Sequence, residues 1–543
     1  MGSLPPKILP LCAALLLAGG CATPEEHIAD ADDQVYALLD QRRAELFEKD
    51  AGFRMERSAD ALRAQLLEGH ADENQLELDI LRSLEVAAEN NRGYQDQREN
   101  LYRTALDLTL ERWRFSWQAT LSGSVGVSGN GENATTASVD ADLGVSKLFG
   151  SGALVLGNIG TTLLRAIDRG DGWDAIQDLS LSFTLPLLRG SAREVVLEPL
   201  TQAERDLVYS VRSYERFRHN FAVDVVGSYY ALLRTLDNIA NEQANYDSLK
   251  LLRVRNQRLA EAGKLTDIQV DQAQQDELRS ESRLLQLTES YGRQLDQFAI
   301  LLGLPAETNL VLDRTELESL KSLDGAELLD LDASSLGTFA LANRLDLMNL
   351  RDQEIDAERR TRLAADALRM GLDLQASVNG TSNEGQPFAY KSSSLPWTFA
   401  LGFDLPIDQL PERNAYRLSL INRDRAVRNV EESRDNVLAG VYDDFRQTDS
   451  TRQRYLIQLS AVELADKRVR SAVLKLEAGR SSTRDVLEAQ EDLLSAQNAA
   501  TSALIDFALA RLRLYRDLEL LDVDASGILL DASALPRATE TTP

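Results

Sequence analysis

The chain has 543 residues, 43% of them hydrophobic and 27% charged, with a formal charge of −27. That length exceeds one ordinary domain, and that apolar content excludes a disordered chain. The acidic balance excludes a nucleic-acid partner, because a phosphate backbone needs a basic surface. It is compatible with cationic or mixed cargo and identifies none.

The N-terminus reads as a processing segment. Lys7 is the only early charge, and the apolar stretch Ile8 to Ala18 is too short to span a bilayer. It runs into Leu17-Ala18-Gly19-Gly20-Cys21, small residues before a cysteine, which resembles a bacterial lipobox. Residues 1–20 are then a lipoprotein signal peptide and Cys21 the lipidated residue. Ala22 stands where an aspartate would retain the product in the inner membrane, so sorting to the outer membrane is expected. The other cysteine, Cys12, lies inside the removed segment, which leaves no disulfide and no thiolate metal site. His27, His70 and His219 are scattered, and packing or solvation is the expected role of each. No phosphate loop, nucleophile elbow or metal-spaced cluster occurs, so no cofactor and no enzymatic activity are expected.

From Trp113 the sequence alternates with period two. Trp113, Phe115, Trp117, Ala119, Leu121, Gly123, Val125 and Val127 interleave with Arg114, Ser116, Gln118, Thr120, Ser122, Ser124, Gly126 and Ser128. The pattern returns at Leu179 to Leu185, Leu372 to Val378 and Trp397 to Leu405, with loops rich in Gly, Asn and Ser between. A soluble sandwich would turn the apolar side inward, whereas a membrane barrel turns it to lipid and lines a wet lumen with the polar side. Four strands make a poor soluble core and cannot close a barrel, which needs about eight. Open edges are not tolerated in lipid. Strands from several protomers are therefore required, and three times four predicts a 12-stranded trimeric barrel. Residues 137–164 could form a further hairpin around Phe149-Gly150-Ser151-Gly152, either as an extended loop or as two added strands.

After Pro186 the chain turns helical to about Ala262, roughly 70 residues or on the order of 100 Å. Val211, Tyr214, Phe217, Phe221, Val225, Tyr229 and Leu232 form a seam at helical spacing, and Val430, Val437, Val441 and Phe445 repeat it. Such helices must pack laterally. Gly263 and Gly479 are placed to cap a helix C-terminus, and Thr266-x-x-Gln269 and Ser482-x-x-Asp485 to open the next helix with a capping box. Two tight helical hairpins follow.

The chain repeats itself. Glu261-Ala262-Gly263-Lys264 returns as Glu477-Ala478-Gly479-Arg480. At the same offset Val270, Ala273, Gln274 and Asp276 return as Val486, Ala489, Gln490 and Asp492. Phe183-Thr184-Leu185-Pro186 returns as Phe403-Asp404-Leu405-Pro406, and Asn91-Arg92 as Asn343-Arg344. The predicted domains are an anchor and wrapping segment at 21–75, a first repeat at 76–303 and an equatorial linker at 304–340. A second repeat at 341–520 and a tail at 521–543 complete them. Strands are expected within 113–188 and 371–406, and the helices of the first repeat over 190–303.

Over residues 75 to 520 these features resemble the TolC-like outer-membrane efflux family. The most specific parts are Leu76-x-Leu78 leading to Ala88-x-Asn90-Asn91, Asn343-Arg344-x-Asp346-Leu347, and Glu477-Ala478-Gly479 leading to Asp485-Val486-Leu487-Glu488-Ala489-Gln490. The resemblance implies a mainly α fold with a membrane β-barrel: a homotrimer whose long α-helical barrel hangs into the periplasm. It also implies a passive outer-membrane exit duct, served by an inner-membrane transporter and a periplasmic adaptor protein. The adaptor would dock at the hairpin tips, Gly263, Lys264, Gly479 and Arg480. Asp485 and Glu488 match positions at the periplasmic constriction; three apart, they share a helix face and would form two carboxylate rings in a trimer. Their first-half counterparts are Gln269 and Gln272, and Asp485 is equally the third residue of a capping box. Trp113, Trp117 and Trp397 are candidate membrane-interface aromatics or plain lipid-facing residues. Efflux of small molecules is the leading function, with a type I secretion duct for polypeptides beside it. A periplasmic coiled-coil adaptor, of another class, should carry one hairpin where this chain carries two.

Overall fold

The computed structural model describes residues 23–47, 53–55, 62–67, 76–129, 135–166, 173–321, 332–383, 389–390, 395–524 and 527–530. Cys12, Cys21 and His70 lie outside them.

Two passes of one plan follow the short helices α1 (Pro24–Phe47) and α2 (Leu62–Leu67). The first pass runs β1 (Leu76–Leu78), α3 (Ile80–Asn90) and α4 (Arg92–Arg114), then β2 (Gln118–Ser128), β3 (Thr136–Leu148), β4 (Leu154–Ala166) and β5 (Asp174–Pro186). It continues through α5 (Arg193–Val196), α6 (Glu198–Glu261) and α7 (Asp267–Leu301). After β6 (Leu310–Leu312) and α8 (Thr315–Lys321), the second pass brings α9 (Ala333–Asn343), α10 (Leu345–Asp366), β7 (Gly371–Thr381) and β8 (Trp397–Asp404). It closes with α11 (Leu410–Glu477), α12 (Thr483–Asp517), β9 (Leu521–Asp524) and β10 (Gly527–Leu530). The helix pairs α3–α4 and α9–α10 open the two passes alike, each broken after an asparagine. Asn90 and Asn343 turn their amides back onto the carbonyls of Val86 and Phe339, both at 2.9 Å.

The chain divides into two compact units. One contains α1, the six-stranded sheet, and the adjoining parts of α4, α6, α10 and α11. Its sheet order is β2-β3-β4-β5-β7-β8, antiparallel throughout. The four expected strands are β2, β5, β7 and β8. The count of four strands per chain is corrected to six, because residues 137–164 supply β3 and β4, each paired with a neighbour on both sides. The strand expected from Trp113 begins at Gln118, because residues 113–114 still finish α4 and turn bonds from Phe115 and Ser116 close it. Period-two alternation there belongs partly to a helix end, so Trp113 sits on a helix. In the same unit α1 packs on α4, with the Tyr102 hydroxyl donating to Asp32 at 2.5 Å and Tyr36 edge-on to Tyr102.

The other unit holds both helical hairpins. Helices α6 and α11 have 64 and 68 residues, so each is about 100 Å long. Pro199 falls in the first turn of α6, where a missing N–H costs nothing, and so marks its start. The seam is buried at Val211, Tyr214, Phe221, Val225, Tyr229 and Leu232 in α6 and at Val430, Val437 and Val441 in α11. Fully buried Tyr229 places its hydroxyl 3.1 Å from the carbonyls of Leu78 and Asp313, beside the parallel β1–β6 pair. Leu336, Ala340, Val437, Val441, Leu514 and Tyr515 form a core next to the β9–β10 hairpin.

Candidate functional site

Two places carry the chain's distinctive chemistry: the face of the sheet and the ends of the hairpins.

Strand register puts Ala119, Val145, Gly157, Leu181, Val378 and Trp397 in one row across all six strands, on one face. The adjacent row, Lys147, Val155, Phe183, Ala376 and Phe399, lies on that face too. On the opposite face Thr120, Gly144, Asn158, Ser180 and Asn379 align, as do Ser122, Asp142, Gly160, Asp178 and Thr381. The apolar face is bare: Val125 is 82% exposed, Phe403 75% and Phe399 70%. A water-soluble sheet buries such a face. Polar side chains on the other face satisfy one another, with Asp140 accepting from Thr162 at 2.9 Å and Asp178 from Thr381 at 2.7 Å.

Of the three candidate tryptophans, Trp113 lies in the last turn of α4, Trp117 immediately precedes β2 and Trp397 opens β8; all three are exposed. Trp117 meets Phe149 edge-on at 6.3 Å, and the Lys147 ammonium lies 5.0 Å from its ring centre. An indole, a phenyl ring and an amine at one end of a greasy face is the composition favoured at headgroup level. Lys147 and Phe149 were missed in the sequence because their stretch had no settled place.

At the hairpin ends Gly263 and Gly479 take φ of 71° and 69°, the left-handed region. Lys264 N bonds the Leu259 carbonyl and Gly263 N that of Ala260, both at 2.8 Å; Arg480 and Gly479 repeat this on Lys475 and Leu476. Both ends are Schellman motifs, in which the glycine lets the chain reverse without a Cβ penalty. Both capping boxes form, Thr266 with Gln269 and Ser482 with Asp485. The two hairpins meet here: Leu252 of α6 packs with Ala472, Leu476, Val486 and Ala489. Asn256, fully buried, donates to Thr483 Oγ1 at 3.0 Å.

Asp485 accepts from Ser482 N at 2.8 Å and from the hydroxyls of Ser481 and Ser482 at 2.8 and 2.9 Å. The backbone bond, with the two hydroxyls, holds its carboxyl below the usual range. Within one chain it is a helix cap. Glu488 is not free either, since Arg468 of α11 binds it at 2.8 Å and also binds Asp492. Arg283 of α7 reaches Glu242 of α6 at 3.3 Å and Glu491 of α12 at 3.2 Å, tying one hairpin to the other. Beside these pairs runs a groove of about 730 Å³ lined by Gln272, Arg279, Arg283, Arg484, Glu488 and Glu491. Arg283 and Arg468 gave no sequence signal, because their partners come from other helices.

A second charged centre lies in the same unit. Arg216 binds Asp517 at 2.9 Å and Glu519 at 3.2 Å, His219 Nδ1 lies 3.0 Å from Glu519, and Arg344 of the Asn343-Arg344 motif pairs with Asp346. Burial, with the Asp517 charge beside it, pushes the Asp444 carboxyl up to about 7. Burial opposes ionisation of Asp517 as well, but bonding to Arg516 and the charges of Arg216 and Arg344 outweigh it and keep Asp517 low. Among the described residues no three His, Cys, Asp or Glu side chains are placed to hold a metal ion. No described helix is long and apolar enough to cross a membrane.

Residues 336–518 match the family model of outer membrane efflux proteins. Among solved structures, the outer membrane protein VceC of Vibrio cholerae superposes with a TM-score of 0.58 at 17% identity, over 81% of this chain and 95% of that one. The Campylobacter jejuni CmeC outer membrane channel gives 0.57 at 15% identity, over 88% and 91%. The open-state MtrE outer membrane channel of Neisseria gonorrhoeae gives 0.57 at 14%, over 81% and 88%. No curated protein matches by sequence. The second pass thus matches the outer membrane efflux protein family by sequence, and the chain shares the fold of these outer membrane channels.

Proposed function

We propose that three copies of this chain form the passive outer-membrane exit duct of a tripartite efflux pump for small molecules. One observation carries the reading: a six-stranded sheet whose apolar face is exposed and whose end strands, β2 and β8, have open edges. Hydrocarbon is the one solvent that suits such a face, and in hydrocarbon the open backbone edges must be paired. Strands β2 and β8 run antiparallel to each other, so identical copies placed side by side continue the alternation without a break.

On this reading the interface aromatics are Trp113, Trp117 and Trp397. The tips at Gly263, Lys264, Gly479 and Arg480 are the docking surface for a periplasmic adaptor, which links the duct to an inner-membrane transporter. Asp485 and Glu488 ring the periplasmic constriction, and Cys21 carries the lipid anchor. Opening the constriction breaks the pairs that Arg468 and Arg283 make there.

Crosslinking in outer-membrane extracts should give a mass of three chains, and the purified assembly should conduct in planar bilayers. A monomer soluble without detergent once Cys21 is replaced would refute the duct. Joint reversal of Lys264 and Arg480 to glutamate should abolish adaptor capture and leave the three-chain mass intact; undiminished capture would remove the tips from the interface.

A further inference from the structure

We infer that the β3–β4 hairpin, residues 136–166, is a full-height section of the channel wall and sets the width of the membrane pore. This rests on the three-copy reading above and adds to it the size class of cargo that the membrane section passes.

The alternative, a loop projecting from a four-stranded wall, fails on three observations. First, the hairpin lies between β2 and β5, and those two strands make no pairing with each other among the described residues. Removing β3 and β4 from the wall would open a gap in the sheet. Second, both hairpin strands keep the phase of their neighbours: Leu121, Leu143, Ile159 and Leu179 stand in one apolar row, and Thr120, Gly144, Asn158 and Ser180 in one polar row. A projecting loop has no reason to keep a lipid side and a wet side. Third, the turn joining β3 to β4 reaches the helical end of the sheet. Phe149 N bonds the Ala153 carbonyl at 2.8 Å, and Gly152 takes a φ of 81°. A Cβ at Gly152 would stand 2.7 Å from Pro186, where β5 ends, and one at Gly150 would stand 3.5 Å from Leu197, between α5 and α6. The hairpin therefore spans the whole height of the sheet and carries its own interface residues, Lys147 and Phe149, against Trp117.

Six strands from each of three copies make an 18-stranded wall. With strands about 4.8 Å apart and tilted by about 40°, the backbone diameter is about 36 Å, against about 24 Å for twelve strands. The membrane section then passes wider solutes than a twelve-stranded wall admits.

The test uses two forms of the full chain: the parent, and a variant with residues 136–166 excised. Excision leaves β2 and β5 antiparallel and in phase, since Leu121 and Leu179 share a row. Each form carries Ser180→Cys on the polar face and is treated from outside the cell with maleimide-polyethylene glycols of graded size. The largest reagent that labels should shrink in diameter by about one third in the excised form. An unchanged cut-off in two three-chain assemblies overturns the inference. A parent that does not crosslink as three chains refutes the duct instead, so the two failures are distinguishable. Should the excised form not assemble, spin labels on the intact parent decide. Ile159→Cys should be quenched by oxygen from the lipid and Asn158→Cys by an aqueous nickel complex; aqueous quenching at both overturns the inference.

Discussion

Asn256 and Thr483 are both fully buried where the two hairpins meet, and their side chains bond at 3.0 Å. The Asn256 amide has little else. Its Nδ2 makes a long second contact of 3.4 Å to the Gln269 carbonyl, and its Oδ1 is buried without a hydrogen-bond partner. Thr483→Val keeps the side-chain shape and removes the acceptor, leaving a buried donor with one poor bond. Such a loss costs about 1–3 kcal/mol, of which the remaining Gln269 contact recovers part, so about 1–2 kcal/mol is expected. Asn256→Leu removes the other partner and leaves a buried hydroxyl, which costs about 1 kcal/mol. The double variant has no orphaned group and should be less destabilised than the sum of the singles by about 1–2 kcal/mol. Global melting of a membrane assembly is not two-state, so the readout is native-state hydrogen exchange of amides in residues 252–276 and 472–492. A faster resting leak in bilayers should accompany each single variant, because this bond holds the hairpins together at their ends. Additive effects, or Thr483→Val indistinguishable from the parent in exchange, would refute the argument that it pins one hairpin to the other.

Asp444 should make stability depend on pH. Its folded value is raised to about 7, so between roughly pH 4 and 7 the folded state binds the extra proton, and stability falls as pH rises through that window. Asp444→Asn should therefore stabilise the surrounding amides against opening at pH 8 by on the order of 1–2 kcal/mol in native-state hydrogen exchange, after allowance for partial exposure, and change little at pH 5. Equal effects at both pH values would contradict this. Asp485 has the opposite sign: its carboxyl is held low, so its contribution is present above the ordinary carboxylate range and is lost as pH falls through its depressed value. Ser482→Ala removes the cap at α12 and should cost about 1 kcal/mol locally, seen as faster exchange at residues 483–487 with α11 unaffected. Gly152→Val forces a β-branched residue to a φ of 81° and against Pro186, and should lower the yield of three-chain assemblies; wild-type yield would mean that the β3–β4 turn is not packed in the assembled wall.

The helical hairpins were legible because each of their signals is local. Glycine alone among common residues accepts the left-handed turn freely, so Gly263 and Gly479 mark the reversals, and the capping boxes at Thr266 and Ser482 say where the chain resumes. The seam from Val211 to Leu232 needs only the 3.6-residue period to be read. Alternation likewise revealed β2, β5, β7 and β8. It overran at Trp113, because a helix end and a strand can share a few residues of apparent period two. It hesitated at β3 and β4, where Lys147 and Thr161 fall on the apolar face, Leu154, Leu156 and Leu164 fall on the polar face, and no counterpart exists in the second pass.

By itself the sequence determined the twofold plan, the ends of the hairpins and the presence of strands with one greasy side, since all of these depend on neighbours within a few turns along the chain. Tertiary structure decided that residues 136–166 belong between β2 and β5, for a strand's place in a sheet is set by backbone hydrogen bonds to a partner that the local pattern does not name. It also decided that Glu488 answers to Arg468 and that burial, with the Asp517 charge beside it, pushes the Asp444 carboxyl up. A carboxyl's charge depends on what surrounds it in space, and the arginines and aspartates concerned come from different helices, in places tens of residues away along the chain.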